Sequence, residues 1–335
     1  MPKRPHGDGP FRVDLTPDET LLAEVGQQDP ANPFLTPAYS RARRAMGELP
    51  IVLIDGTQPS GVKLTVAFLR VGRTSRALDI PSLPMSPSIA FFSGVGRLSR
   101  DHGIYETIFN TYASPSVTVP PLTRELERVP RTEHYFDLGV SPELWKVGRT
   151  HRQRIRQSEK LGIEVVRHTG QDALRAHREL IGASFRRRQR RGESLELQQD
   201  DLEACCLLEN GAAEIFQAIQ GTEIVSSMLV LRAPRGGYDH SSGTSAEGMA
   251  VGASHYLIHS VARILQGEGC TQFNLGGTRD SEEGLRAFKV AFGTHAVRSE
   301  MVRASLCSAV RRLSVDAARA ALRYARVIRS RRFRR

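Results

Sequence analysis

The chain has 335 residues, with 47 Lys+Arg against 36 Asp+Glu, 40% hydrophobic residues and a net charge of +11. That composition suits two packed domains and excludes disorder as the main state. No stretch approaches the roughly 18–20 apolar residues of a membrane span, and the opening MPKRPHGDGPF lacks the apolar core of a secretory signal, so a cytoplasmic protein is expected.

In chain order, residues 1–10 read as a disordered N-terminus. A helix is expected over Pro37–Met46 behind the cap Thr36, then strands at Ile51–Ile54 and Val62–Val71. The segment PSLPMSPS at 81–88 reads as a loop, and Ile104, Ile108 and Tyr112 recur at four-residue spacing, which predicts a helix over Asp101–Tyr112. HYFDL at 134–138 reads as a strand. Ser141-Pro142-Glu143 then opens the next helix and sets a domain boundary, dividing 11–140 from 141–305. A basic helix follows to Lys160, stopped by Gly162, then strand Ile163–Val166 and a helix over Asp172–Arg191. Glu214–Ile219 and Ile224–Leu231 flank Gln220-Gly221-Thr222 as a hairpin, with a further strand near Tyr238–Ser242. The remainder reads as helix Ala250–Gln266, strand Gln272–Leu275, turn Gly276-Gly277, helix Glu283–Phe292 and strand Val297–Val302. The fold class is therefore mixed α/β, with a basic helical tail over 306–335.

The charge lies in two blocks. Residues 311–335 hold ten Arg and one Asp, net +9, and residues 146–191 hold fourteen Lys+Arg and four acids, net +10. Such blocks meet a polyanion or an anionic surface locally, or make solvated faces. The candidate basic patch is Arg149, Arg152, Arg156, Arg186, Arg187 and Arg188. Leu313, Ala317, Ala320, Tyr324 and Ile328 share a helical stripe, with Arg312, Arg319, Arg323 and Arg326 on the other side. That basic amphipathic helix can dock its apolar face on the body, rest on an anionic membrane or hold RNA.

The segment FNLGGTRDSEEGLRAFKVAFG at 273–293 and the preceding GASHYLIHSVARILQGEGC resemble the C-terminal domain of FemAB-like acyltransferases, a branch of the GNAT superfamily that includes CelD-like acetyltransferases. RTHRQRIRQSEKLGIEVV at 149–166 is similar to the opening of that domain, and NPFLTPAYSRA at 32–42 to the family's N-terminal part. The resemblance implies two GNAT-like domains, each a mainly antiparallel mixed sheet flanked by helices. It also implies an acceptor amine in the cleft between them, an activated donor on the second domain, and amide formation.

In GLRAFKVAFG, Leu285, Phe288 and Phe292 share a face and Lys289 falls off it, free to stabilise an oxyanion or hold a donor phosphate. Lys289 also matches a functionally important lysine of the family. Arg286 is a further donor-binding candidate. GNAT domains cradle pyrophosphate on a Gln/Arg-x-x-Gly-x-Gly/Ala loop. The matching stretch, Glu247 to Gly252, keeps Gly248 and Gly252 but has Glu at the first position and Ala250 in place of a glycine. With Val251 and Ala253 these are the donor-loop candidates. His240 beside Asp239 is the candidate base for deprotonating the acceptor. His255 and His259 lie on one helical face without the third ligand of a zinc site, so no metal is assigned.

The expected function is N-acyl transfer, with acyl-CoA or aminoacyl-tRNA as co-substrate, no tightly bound cofactor and an amine-bearing acceptor from envelope, polysaccharide or small-metabolite biosynthesis. The tail allows peripheral contact with an anionic membrane on its inner face. The competing reading is a non-catalytic GNAT-fold protein that binds RNA or such a membrane.

Overall fold

The computed structural model describes residues 11–56, 61–114, 118–192 and 201–332, with the side chains of the last helix as far as Leu322. The expected disorder of residues 1–10 lies outside the described residues. In chain order the elements are β1 (Phe11–Asp14), α1 (Glu19–Gln28), α2 (Pro37–Ala45), β2 (Leu49–Asp55), β3 (Lys63–Val71), β4 (Arg76–Ile80), α3 (Ile89–Asp101), β5 (Ile104–Asn110) and β6 (Glu125–Asp137). They continue with α4 (Arg149–Lys160), β7 (Glu164–His168), α5 (Gln171–Arg190), α6 (Asp201–Glu209), β8 (Ala213–Gln220), β9 (Glu223–Ala233), β10 (Gly236–Thr244) and α7 (Ala246–Val251). The last are α8 (Ala253–Gly267), β11 (Gln272–Thr278), α9 (Glu283–Val290), β12 (His295–Ala304) and α10 (Ala309–Arg332).

Two compact units interleave along the chain. The first combines residues 1–21, 47–129 and 300–335, the second residues 22–46 and 130–299. The sequence reading put consecutive domains at 11–140 and 141–305. The difference arises because β6 and β12 each run from one unit into the other, and neither crossing carries a loop signal.

In the first unit, β1, β2, β3 and β4 pair antiparallel in turn, β4 pairs β5 in parallel, and β5 takes the end of β12 antiparallel. Ser88 caps α3 by accepting the Phe91 N–H at 3.0 Å, and Phe91, Phe92, Val95 and Leu98 at helical spacing are buried on that unit's core. The predicted helix over Asp101–Tyr112 is instead the end of α3 and the strand β5. Gly103, at φ +61°, stops the helix, and Ile104–Asn110, rich in β-branched and aromatic residues, carries buried side chains on both faces.

In the second unit the strand order is β6, β11, β10, β9, β8, β7, antiparallel except for the β10–β11 pair. Strand alternation divides the packing. Phe216, Ala218, Met228 and Val230 join the core under α8, while Gln217 and Ser227 on the opposite face hydrogen-bond Ala173 and His177 of α5. The predicted helix at Ser141 is a single 3-10 turn, Pro142–Leu144. Helix α4 begins only at Arg149, and Ser141 makes no side-chain cap. None of the four cysteines is in a disulfide; Cys206, Cys270 and Cys307 are buried and Cys205 is partly exposed.

Candidate functional site

Strands β10 and β11 pair in parallel over Gly236–Tyr238 against Gln272–Asn274, after which each is irregular. Strand β10 bulges at His240, between Asp239 and Ser241, and β11 bulges between Asn274 and Gly277. Bulges re-aim side chains and end pairing, and they recur beside active sites. Here the β11 bulge needs a left-handed residue, supplied by Gly276 at φ +74°.

Lys289 of α9 is buried, and its Nζ donates to the carbonyls of Gly276 and Gly277, each at 3.2 Å. An ammonium has three donors, so one remains for another group. Burial pulls Lys289 below the usual lysine value, opposed by the nearby charge of Asp239. Asp239 is shifted the other way, with burial pushing its carboxyl up to about 6 against the opposing charge of Lys289 and a hydrogen bond from Ser242. Its Oδ1 is sealed from solvent without a hydrogen-bond partner among the described residues.

Behind this pair, Glu133 accepts from Tyr135 Oη at 2.7 Å, Asn274 Nδ2 at 2.9 Å and Tyr238 Oη at 3.3 Å. Asn274 Oδ1 in turn accepts the Gly276 N–H at 2.8 Å. Glu133 thus fixes Asn274, Asn274 fixes the bulge, and the bulge aims two carbonyls at Lys289. Nothing in the spacing of HYFDL marks Glu133 for this, because two of its three partners, Asn274 and Tyr238, lie over a hundred residues away.

A cavity of about 220 Å³ lies between the end of α5, β10 and the start of α8. Arg187, Arg188 and Arg191 line one side, Ser226, Ser242 and Thr244 contribute hydroxyls, and Met228, Leu257, Ile258 and Phe288 supply an apolar wall. Arg187 donates to the Thr244 carbonyl and, at 3.0 Å, to Ser184 Oγ. Arg188 donates to Glu282 at 3.0 Å. Burial and the neighbouring Arg191 charge pull the Arg187 guanidinium below its ordinary value, so an anion placed there relieves a cation–cation repulsion. Helix α8 begins at Ala253 with no side chain capping it, and Ser254 in its first turn lines the cavity, which adds a partial positive charge. Ser242 connects the two places, since it lines the cavity and bonds Asp239.

The remaining sequence candidates are placed as follows. His240 turns to Glu203, its Nε2 at 3.8 Å from Oε1. The donor loop spends its groups internally: the Gly248 N–H bonds Ser245 Oγ at 2.9 Å, and the Val251 carbonyl accepts from Ser158 at 2.8 Å. Gly252 is the left-handed joint between α7 and α8, and Ala253 is buried in the core. Glu247 is exposed in the first turn of α7. Arg286 is exposed on α9, where its charge reaches His134 rather than the cavity. Arg149, Arg152 and Arg156 form a solvated face of α4 and Arg186 is exposed, whereas Arg187 and Arg188 enter the cavity with Arg191, which the sequence patch left out. His255 packs edge-on to His151 at 4.5 Å and against Phe288, and His259 packs on Trp145.

Three histidines, His134 and His177 buried and His255 half-buried, are held neutral. Burial brings His134, His177 and His255 down to about 4. His177 lies between Ser227 Oγ and Ser241 Oγ, at 2.9 Å each, tying α5 to the bulged strand. The unfolded chain binds these protons at the ordinary value near 6.5 and the folded chain does not, so stability falls as pH drops from about 6.5 to 4. Asp239 acts in the opposite sense: its contribution is present below its ordinary value near 3.8 and is lost as pH rises through about 6. Burial also lowers His151 and His259 and raises Asp29, so the histidines outnumber the opposing acids and the thermal midpoint is expected to drop on acidification through that window. His177→Gln should flatten the slope, as circular dichroism melts at stepped pH would read; an unchanged slope would contradict the assignment to His177.

Residues 145–290 match the GNAT acetyltransferase domain family, Acetyltransf_6. The chain thus carries a GNAT acyltransferase domain, and the α/β fold with mainly antiparallel sheets agrees with the sequence expectation. No curated protein matches the chain by sequence. Among solved structures, FemX superposes with a TM-score of 0.64 at 14% identity, covering 84% of this chain and 95% of that one. L-PGS from Bacillus licheniformis matches at TM-score 0.51 and 14% identity, over 91% of this chain and 98% of that one. A C-terminal domain assigned to a lysylphosphatidylglycerol synthetase of Agrobacterium fabrum matches at 0.51 and 15%, over 89% and 96%. At 14–15% identity these three are likenesses of fold. Among the described residues no helix is long and apolar enough to cross a membrane.

Proposed function

We propose that the second unit transfers an acyl or aminoacyl group from a phosphate-bearing carrier to an amine, with the arginine-lined cavity taking the donor and the Lys289–Asp239 pair serving the reaction. The observation that carries this reading is the buried lysine with a spare donor, beside the charge of Asp239, which Ser242 links to a cationic cavity. As the amine nitrogen bonds to the acyl carbon, the carbonyl oxygen gains negative charge, which the Lys289 ammonium stabilises in a site shielded from water. Asp239, poised at about 6, takes the proton the amine must lose. The carbon–sulfur or carbon–oxygen bond to the carrier then breaks, and the leaving group regains a proton. In this reading His240 is not the base, because its ring faces Glu203.

Aminoacyl-tRNA is the donor favoured by the 247–252 loop, whose Gly248 N–H is already bonded to Ser245 and so is withheld from a pyrophosphate. The exposed arginines of α4 offer a track for further phosphates. Acceptors of envelope, polysaccharide or small-metabolite type remain within the same chemistry. The deciding experiment is parallel binding of acetyl-CoA, aminoacylated tRNA and deacylated tRNA at low and near-physiological salt. Preference for the charged tRNA, weakened by Arg187→Ala or Arg191→Ala, is the expected result. Saturable acetyl-CoA binding with no preference between the tRNAs would overturn the choice of donor.

A further inference from the structure

The basic tail meets the body in the reverse of the sense its pattern suggests. Val315 is buried with Tyr105 and Cys307, Tyr105 Oη donates to Asp316 at 2.6 Å, and the Arg319 guanidinium lies 4.3 Å over the Tyr105 ring. Arg319 also donates to Ser75 Oγ at 3.1 Å. The stripe expected to dock faces away: Val310 is 76% and Leu313 67% exposed, and Ala317 and Ala320 are exposed beside them. The sequence continues that spacing at Tyr324 and Ile328.

We propose that this outward stripe of α10 is a docking surface for an anionic lipid bilayer. Seating α10 through Val315, Asp316 and Arg319 uses the one acid of residues 311–335 on the body side, which leaves an apolar stripe in a segment of net charge +9. Apolar side chains beside arginines suit the headgroup boundary, where the stripe enters the acyl region and the guanidinium groups meet lipid phosphates. RNA has no use for an exposed valine and leucine. A second copy would bring two strongly positive helices together, and the body's own surface is already engaged by the other face.

The test is flotation of the full chain with phosphatidylcholine vesicles, with and without phosphatidylglycerol. Binding is expected only with the anionic lipid, weakening with salt. Leu313→Ser should lower the partition coefficient by about tenfold, the scale of one leucine removed from an apolar phase. Thermal stability should be unchanged, because Leu313 is exposed. Equal binding to neutral vesicles, or anionic binding indifferent to Leu313→Ser, would overturn the proposal. So would Leu313→Ser abolishing self-association in sedimentation, or weakening binding to an RNA oligonucleotide as strongly as binding to lipid.

Discussion

Replacing Lys289 by Met is expected to lower kcat for acyl transfer by about 100- to 1,000-fold, the range for loss of one preorganised oxyanion donor. Donor affinity should barely change. The substitution keeps a long unbranched side chain in a nearly closed site and removes a charge whose burial is unfavourable. It also leaves the Gly276 and Gly277 carbonyls and the Asp239 carboxyl without their cation. These effects oppose one another, so the melting temperature should move by only a few degrees. Steady-state kinetics with saturating donor, paired with a donor Kd and a melt, separates chemistry from binding and folding. Turnover above about a tenth of the parent value would remove Lys289 from the mechanism.

Gly243→Ala should damage stability and donor binding together. A Cβ built at Gly243 would lie 2.5 Å from Leu180 C and from Ile181 N, so α5 rests directly on β10 backbone and has nothing flexible to yield. Overpacking of this kind costs about 1–3 kcal/mol. Any relief must come from α5 moving outward, and α5 carries Arg187 and Arg188 into the cavity, with Arg191 just beyond its end. A several-fold loss of donor affinity in the protein that remains folded is therefore expected. Gly267→Ala is the control. It lies at the end of α8 with open space around it, and alanine there should be neutral or stabilising by up to about 1 kcal/mol. Urea titration and donor binding on the two variants check the contrast. Similar behaviour of the two would show that the α5–β10 contact does not govern the cavity.

Much of the second unit was legible because its signals are local. The hairpin around Gln220-Gly221-Thr222, the helix leading to Gly267 and the Gly276-Gly277 turn each carry their own punctuation. Lys289 stood out because it departs from the stripe of Leu285, Phe288 and Phe292. What was hidden depends on partners remote in sequence. Ile104, Ile108 and Tyr112 satisfy a four-residue period, yet Tyr105 and Phe109 are buried as well as Ile104, and a strand with cover on both sides accounts for that. The docked face of α10 is decided by Tyr105, some two hundred residues upstream, which binds an aspartate and an arginine rather than the leucine stripe. Arg191 was passed over although it closes the RRRQRR run, because composition does not say which members of a basic block bend inward.

The interleaving of the two units also has a temporal side. The first unit closes its sheet with the end of β12, where Met301–Ala304 pair with Thr107–Asn110, and Glu300 accepts from the Val119 N–H and from Arg128. A ribosome must therefore deliver nearly the whole chain before that unit can complete its hydrogen bonding. The second unit runs to Ser299, just ahead of Met301–Ala304, so both units complete only when β12 has emerged. Until β12 emerges the edge of β5 stays open, an unpaired strand edge of the kind that invites wrong pairing during synthesis.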